Sequence, residues 1–239
     1  GDYEEYTHLL IPVYQRNYTW EKKEIEELYD DFQNHWNTNK IKNEEGNFVM
    51  DEEKARSYYL GNVVVVKNPK ENSFGVLDGQ QRITTLYIMN IVFKKSFIKL
   101  SEDLEALYAK NKLEQLEYIK HKQSITDNLN IIRSLSHHKN EKKEMSPRLT
   151  IVYKTDRDHF EEILREQFET SNLTTGLSQG HSMIKAFKIL TNKLKESYDS
   201  YTEEVYKPGV KLGDKDLFEA KLHITEQMSK YVRSGWTEF

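Results

Sequence analysis

Apolar residues recur at helical spacing over most of the chain and at strand spacing in a few short places. Ile25, Leu28, Tyr29, Phe32 and Trp36 share one face and predict an amphipathic helix over 20–36, with Thr19 as its cap. Residues 79–98 are apolar nearly all round (Ile83, Leu86, Tyr87, Ile88, Met89, Ile91, Val92, Phe93), the signature of a central core helix. Further helices are expected over 102–120, 124–137, 157–168 behind an Asp156 cap, 182–198, and from Asp214 onward. Strands are expected over 7–13, where Pro12 confines Ile11 to extended backbone, and over 58–66, 74–77 and 149–153. The stretches 37–56, 67–73, 138–147, 169–180 and 199–213 read as loops or linkers. Strands gather early and helices dominate later, which makes the fold class α+β. No internal repeat of solenoid length is present.

Composition narrows the field. Of 239 residues, 37% are hydrophobic and 31% charged, and the mean hydropathy is -0.81. Fifteen Tyr and ten Phe still supply a core, against wholesale disorder. No apolar run approaches the ~20 residues of a membrane span, so no membrane partner is expected. Cysteine is absent, which removes disulfides, thiol catalysis and thiolate metal sites. Gly1-Asp2 reads as an internal or tag-derived start, and without an export signal the expected location is cytoplasmic. The net charge of -4 is unlike that of a dedicated DNA-gripping protein. Residues 1–60 carry 7 basic and 14 acidic side chains, 61–150 carry 15 and 10, and 151–239 carry 13 and 15. The middle third is the part suited to an anion.

Two segments hold the candidate chemistry. Asp78-Gly79-Gln80-Gln81-Arg82-Ile83-Thr84-Thr85 lies where a strand hands over to a helix. Asp78 as N-cap with Gln81 three residues on makes a capping-box pattern. That pattern leaves Arg82 unexplained, because a cation in the first turn opposes the helix dipole by ~0.3–1 kcal/mol. An anion held between Arg82 and the free helix amides would explain it, with Gly79 letting a ligand approach the backbone. Asp78 also suits Mg²⁺ held through water. The second segment, Tyr14-Gln15-Arg16-Asn17-Tyr18-Thr19-Trp20, repeats the strand-to-helix passage with its own Gln-Arg pair. Its aromatics either stack on a nucleobase or pack in the core. The planar guanidinium of arginine suits phosphate better than lysine does. The sequence lacks a P-loop and a Gly-x-Ser-x-Gly elbow.

The two segments together resemble a known family. Ile11-Pro12-x-Tyr14-Gln15-Arg16-x-Tyr18-x-Trp20, Tyr59-Leu60-Gly61 before a valine strand, and Asp78-Gly79-Gln80-Gln81-Arg82-x-Thr84-Thr85 are similar to the motifs of the DUF262 domain. That domain is the N-terminal domain of GmrSD-type modification-dependent (type IV) restriction enzymes. The resemblance covers most of 9–195. It implies a ParB/sulfiredoxin-like mixed sheet with surrounding helices. The nucleotide-binding core would span 1–153, and a helix-rich region continuous with it would span 154–239 and lead toward a further C-terminal domain. It implies a nucleotide-binding, NTP-hydrolysing (NTPase) regulatory module of a restriction and phage-defence system. NTP with Mg²⁺ would be the cofactor, with Asp78, Gln81 and Arg82 catalytic. Tyr14, Gln15, Arg16, Tyr18, Gly79, Gln80, Thr84 and Thr85 would bind nucleotide, and Asp78 would hold the metal. Arg16 and Arg82 would clamp the polyphosphate while Gln81 positions the attacking water. DNA, including modified phage DNA, would be met by the full-length protein and cut by an HNH-type nuclease domain downstream or on another chain. Two alternatives remain: a ParB-like module sensing DNA or nucleotide without turnover, and a DNase acting from this core.

Overall fold

The computed structural model describes residues 8–44, 48–51, 61–68, 73–139, 145–164, 181–206 and 211–236. Its main sheet has four strands, β1 (His8–Ile11), β4 (Val64–Asn68), β5 (Ser73–Asp78) and β8 (Leu149–Ile151), in the order β4-β5-β1-β8. Strand β1 runs parallel to both β5 and β8, while β4 pairs antiparallel with β5. Among the described residues two short antiparallel pairs are also present. One joins β2 (Lys40–Lys42) to β3 (Phe48–Met50), and the other joins β6 (His137–Lys139) to β7 (Met145–Pro147). Among the described residues there are six helices: α1 (Lys22–Asn39), α2 (Gln80–Ala109), α3 (Gln115–Ser136), α4 (Lys154–Leu164), α5 (Ser182–Val205) and α6 (Asp214–Trp236). The protein is therefore α+β, with a small mixed sheet and a helix-rich C-terminal part.

The chain forms two compact units. The first comprises Gly1–Ile25, Gly61–Val92 and Ile131–Ile189; the second comprises Glu26–Leu60, Phe93–Asn130 and Leu190–Phe239. The first unit contains the main sheet. Its core includes Ile11, Val76, Leu86, Tyr87, Leu149, Ile151, Phe160 and Ile184, all under 7% exposed. Tyr87 lies against Phe160 with ring centroids 5.4 Å apart. The second unit is mostly helical, built on buried Phe32, Trp36, Phe97, Leu104, Ile125 and Leu194. Its polar contacts include Tyr29 Oη to Ser197 Oγ at 2.9 Å and the Lys193–Asp30 ion pair at 2.7 Å.

Several expected boundaries move. The helices expected over 79–98 and 102–120 are one helix as far as Ala109. The break falls at 110–114, where Asn111 takes a left-handed φ of 52°, and 121–123 continue inside α3. The polar segment 138–147 contains β6 and β7 rather than a plain loop, although 140–144 lie outside the described residues. So do Tyr58–Leu60, which carry part of an expected strand and of the Tyr59-Leu60-Gly61 motif, and the expected loop 169–180. Thr19 does not cap α1; the helix starts at Lys22, and Glu24 Oε2 accepts the Glu21 N–H at 3.1 Å.

Candidate functional site

Both motif segments belong to the first unit, and side-chain amides bind them together. Strand β5 ends at Asp78, Gly79 follows with a φ of +84°, and helix α2 begins at Gln80. The first helical bond runs from Ile83 N–H to the Gly79 carbonyl, so Gly79 stands at the cap position and not Asp78. Only glycine takes that φ without strain, and a Cβ there would come within 3.1 Å of Val63 Cγ2. The Asp78 side chain points into solvent, where it makes no capping bond.

Gln80 and Gln81 are 6% exposed. Gln80 Nε2 donates to the Arg16 carbonyl at 3.1 Å. Gln81 Nε2 donates to the Asn17 carbonyl at 2.8 Å, and its Oε1 accepts the N–H groups of Thr19 at 2.9 Å and Trp20 at 3.4 Å. In the other direction, Gln15 Nε2 donates to the Leu77 carbonyl at 2.9 Å. Tyr18 lies beneath, 5% exposed; its hydroxyl donates to Thr85 Oγ1 at 2.7 Å, and Thr85 in turn donates to the Gln81 carbonyl at 2.8 Å. Burial pushes the Tyr18 phenol well above its ordinary range, so it stays a neutral donor.

Apart from the half-buried Gln15 and Gly79, the expected site residues therefore separate into two groups. Gln80, Gln81, Tyr18, Thr84 and Thr85 are enclosed; Gln80 and Gln81 bond the 16–20 backbone directly, while Thr85 links the Tyr18 hydroxyl to the Gln81 carbonyl. Gln81, expected to position water, has its amide committed to three backbone groups. The groups left facing outward are Tyr14, 70% exposed, together with the Arg16 side chain and Asp78, both exposed, and the half-buried Arg82. Arg82 Nη1 donates to the Asn62 carbonyl at 3.3 Å, leaving the rest of its fork of donors for a ligand. The Arg16 guanidinium, unlike its carbonyl, has no hydrogen-bond or ion-pair partner among the described residues. Gly61, with a φ of +84°, is packed so close that a Cβ would sit 2.7 Å from Arg82 Nη1. The structure thus adds a 61–63 segment flanking Arg82; Gly61 before a valine strand was its only signal in the sequence.

Such an arrangement suits an anion. Two guanidinium groups, one of them with no other partner, lie on backbones held in place by neutral amides, and a helix N-terminus lies between β5 and Arg82. Among the described residues no group of three or more His, Asp or Glu could hold a metal ion, so a divalent cation here would rest on Asp78 and on the ligand's own oxygens. Among the described residues no helix is long and apolar enough to cross a membrane.

The model of the family described as GmrSD restriction endonuclease, N-terminal domain, matches residues 2–223. No curated protein gives a significant match to the chain.

Proposed function

The chain belongs to the GmrSD restriction endonuclease N-terminal domain family, a module of proteins that restrict DNA, and from that premise we propose that its first unit binds and hydrolyses a nucleoside triphosphate. The observation that carries the reading is the junction of the two motifs. Every glutamine amide there holds backbone, while Arg16, Arg82 and Asp78 are left to meet a ligand. Arg16 and Arg82 grip the polyphosphate, and their charge offsets the negative charge that builds on the phosphoryl oxygens during transfer. The α2 amides beside Gly79 add donors that need no desolvated charge. Mg²⁺, entering with the triphosphate, supplies further charge neutralisation. Asp78 is the one carboxylate of the two motifs, and it holds the metal's water or orients the attacking one. Gln81 acts at one remove, by fixing the loop that carries Arg16. Tyr14 offers an exposed ring on which a nucleobase stacks.

In the full-length protein this turnover gates cleavage of DNA, modified phage DNA included, by an HNH-type nuclease domain downstream or on a partner chain, in the cytoplasm. Calorimetric titration with Mg²⁺–NTP and a phosphate-release assay test the reading. Arg82→Ala should weaken binding about tenfold or more, the loss of a charge-assisted contact worth ~1.5–3 kcal/mol. Equal affinities remove Arg82 from the site. Binding without phosphate release leaves a sensing module in place of an NTPase.

A further inference from the structure

Asp156 does not cap the helix it was expected to start. It lies in the first turn of α4, 3% exposed, with both carboxylate oxygens engaged. Oδ2 accepts the Tyr18 N–H at 2.6 Å, and Oδ1 accepts the Nε2–H of His181 at 3.1 Å. The imidazole has one tautomer that satisfies its surroundings. Nδ1 of His181 accepts the Met183 N–H at 3.3 Å, so the ring proton sits on Nε2, facing the carboxylate. The ring of His159 stacks on that of His181 at 3.9 Å with an interplanar angle of 4°, and its own Nδ1 donates to the Thr155 carbonyl at 2.7 Å.

A buried carboxylate is costly to desolvate and is kept where its hydrogen bonds require it. What this one holds is the amide two residues beyond Arg16. Gln80 and Gln81 already hold the Arg16 and Asn17 carbonyls and the Thr19 amide. Asp156 supplies the bond at Tyr18 N–H, so each peptide from Arg16–Asn17 to Tyr18–Thr19, just beyond the outward Arg16 side chain, has at least one group held. We propose, resting on the nucleotide reading of this loop, that Asp156 and His181 are positioning residues that fix Arg16 for the polyphosphate. They tie the loop to the starts of helices α4 and α5. A guanidinium on a preorganised backbone grips a phosphate without first having to order the loop.

The substitutions can be chosen from the hydrogen-bond logic. In Asp156→Asn the single oxygen can accept from Tyr18 N–H, but the amide then points its own protons at His181 Nε2–H. Moving the ring proton to Nδ1 relieves that clash and creates another with the Met183 N–H. No arrangement satisfies all three, whereas His181→Gln keeps an N–H donor for Asp156. His181→Ala removes it.

The test is Mg²⁺–ATP and Mg²⁺–GTP titration into the full chain, well below each variant's melting temperature, with near-ultraviolet circular dichroism checking the fold. Asp156→Asn and His181→Ala should each weaken binding about tenfold, and His181→Gln should stay close to wild type. In an Arg16→Ala background Asp156→Asn should cost no further affinity while still lowering the melting temperature, because its effect on the ligand passes through Arg16. Full affinity in Asp156→Asn, or an undiminished loss in the Arg16→Ala background, overturns the inference while leaving the nucleotide site standing. Absence of binding in the wild type overturns the nucleotide reading and this inference with it. If Asp156→Asn does not fold, equal affinities of His181→Ala and His181→Gln overturn the inference by themselves.

Discussion

Replacing Gly61 with alanine separates backbone strain from interference with Arg82. At a φ of +84° any Cβ is strained, a cost of ~1–2 kcal/mol. The same Cβ would meet Arg82 Nη1 at 2.7 Å and Cζ at 3.1 Å, too close for either to stay. The guanidinium is the mobile end of its side chain, so it swings away and gives up the 3.3 Å bond to the Asn62 carbonyl. That bond is solvent-accessible, which puts its loss near the lower end of ~0.5–1.5 kcal/mol. Gly61→Ala should therefore lower stability by ~1.5–3 kcal/mol in wild type, but by only the strain, ~1–2 kcal/mol, when Arg82 is already alanine. The coupling of ~0.5–1 kcal/mol stands above the ~0.3–0.5 kcal/mol within which independent sites add. Urea denaturation of the two single variants and the double variant measures it. Nucleotide titration adds a second readout, since Gly61→Ala should weaken binding only where Arg82 is present. Equal stability losses in both backgrounds would refute the close packing of Gly61 on the guanidinium.

Asp78→Asn should abolish phosphate release while changing stability by less than ~0.5 kcal/mol, because Asp78 is exposed and caps nothing; denaturation alongside the release assay checks both. Tyr87→Phe removes a hydroxyl that donates to the Ser136 carbonyl and accepts the Arg148 N–H at 3.1 Å. Arg148 N–H also reaches the Ser136 carbonyl at 2.9 Å, so neither group is orphaned and the loss in urea denaturation should be ~0.5–1.5 kcal/mol. In the second unit, burial depresses the pKa of His223, partly offset by the Phe48 carbonyl that accepts its Nε2–H at 2.6 Å. Its contribution to stability is complete above the unfolded value near 6.5 and fades as the pH falls toward the folded value, by at most ~1.4 kcal/mol per pH unit. His121 is depressed in the same sense, so the measurement is the difference in pH slope between wild type and His223→Gln.

The elements with strong periodicity were legible in the sequence. Helix α1, the start of α2 and the strands around Gly75 and Leu149 lie within a few residues of where spacing puts them. The break at Asn111 was not, because Lys110-Asn111-Lys112 has nothing of the usual Gly or Pro punctuation and its left-handed residue is an asparagine. The Gln-Arg pairs marked two segments that the fold brings together. What each glutamine does was hidden, since a side-chain amide finds its partner only after residues 62 to 64 positions apart have met. Asp156 was misread for the same reason. An acid at a helix start looks like a cap, and only the folded chain shows its partners to be Tyr18 and His181.

The central place of β1 also sets a schedule for synthesis. Leu9 pairs with Phe74 on one side and with Leu149 on the other, both in parallel register. A ribosome adding ~5–20 residues per second makes β1 wait several seconds for its first neighbour and up to about half a minute for its second. Through that interval the His8–Ile11 backbone has an unpaired edge, and the arginine just beyond it has no Asp156 to hold its loop. The fastening of the Arg16 loop by Asp156 is among the last features of the first unit to form. A nascent or prematurely ended chain that stops short of residue 145 lacks β8 and should neither complete the sheet nor respond to a triphosphate.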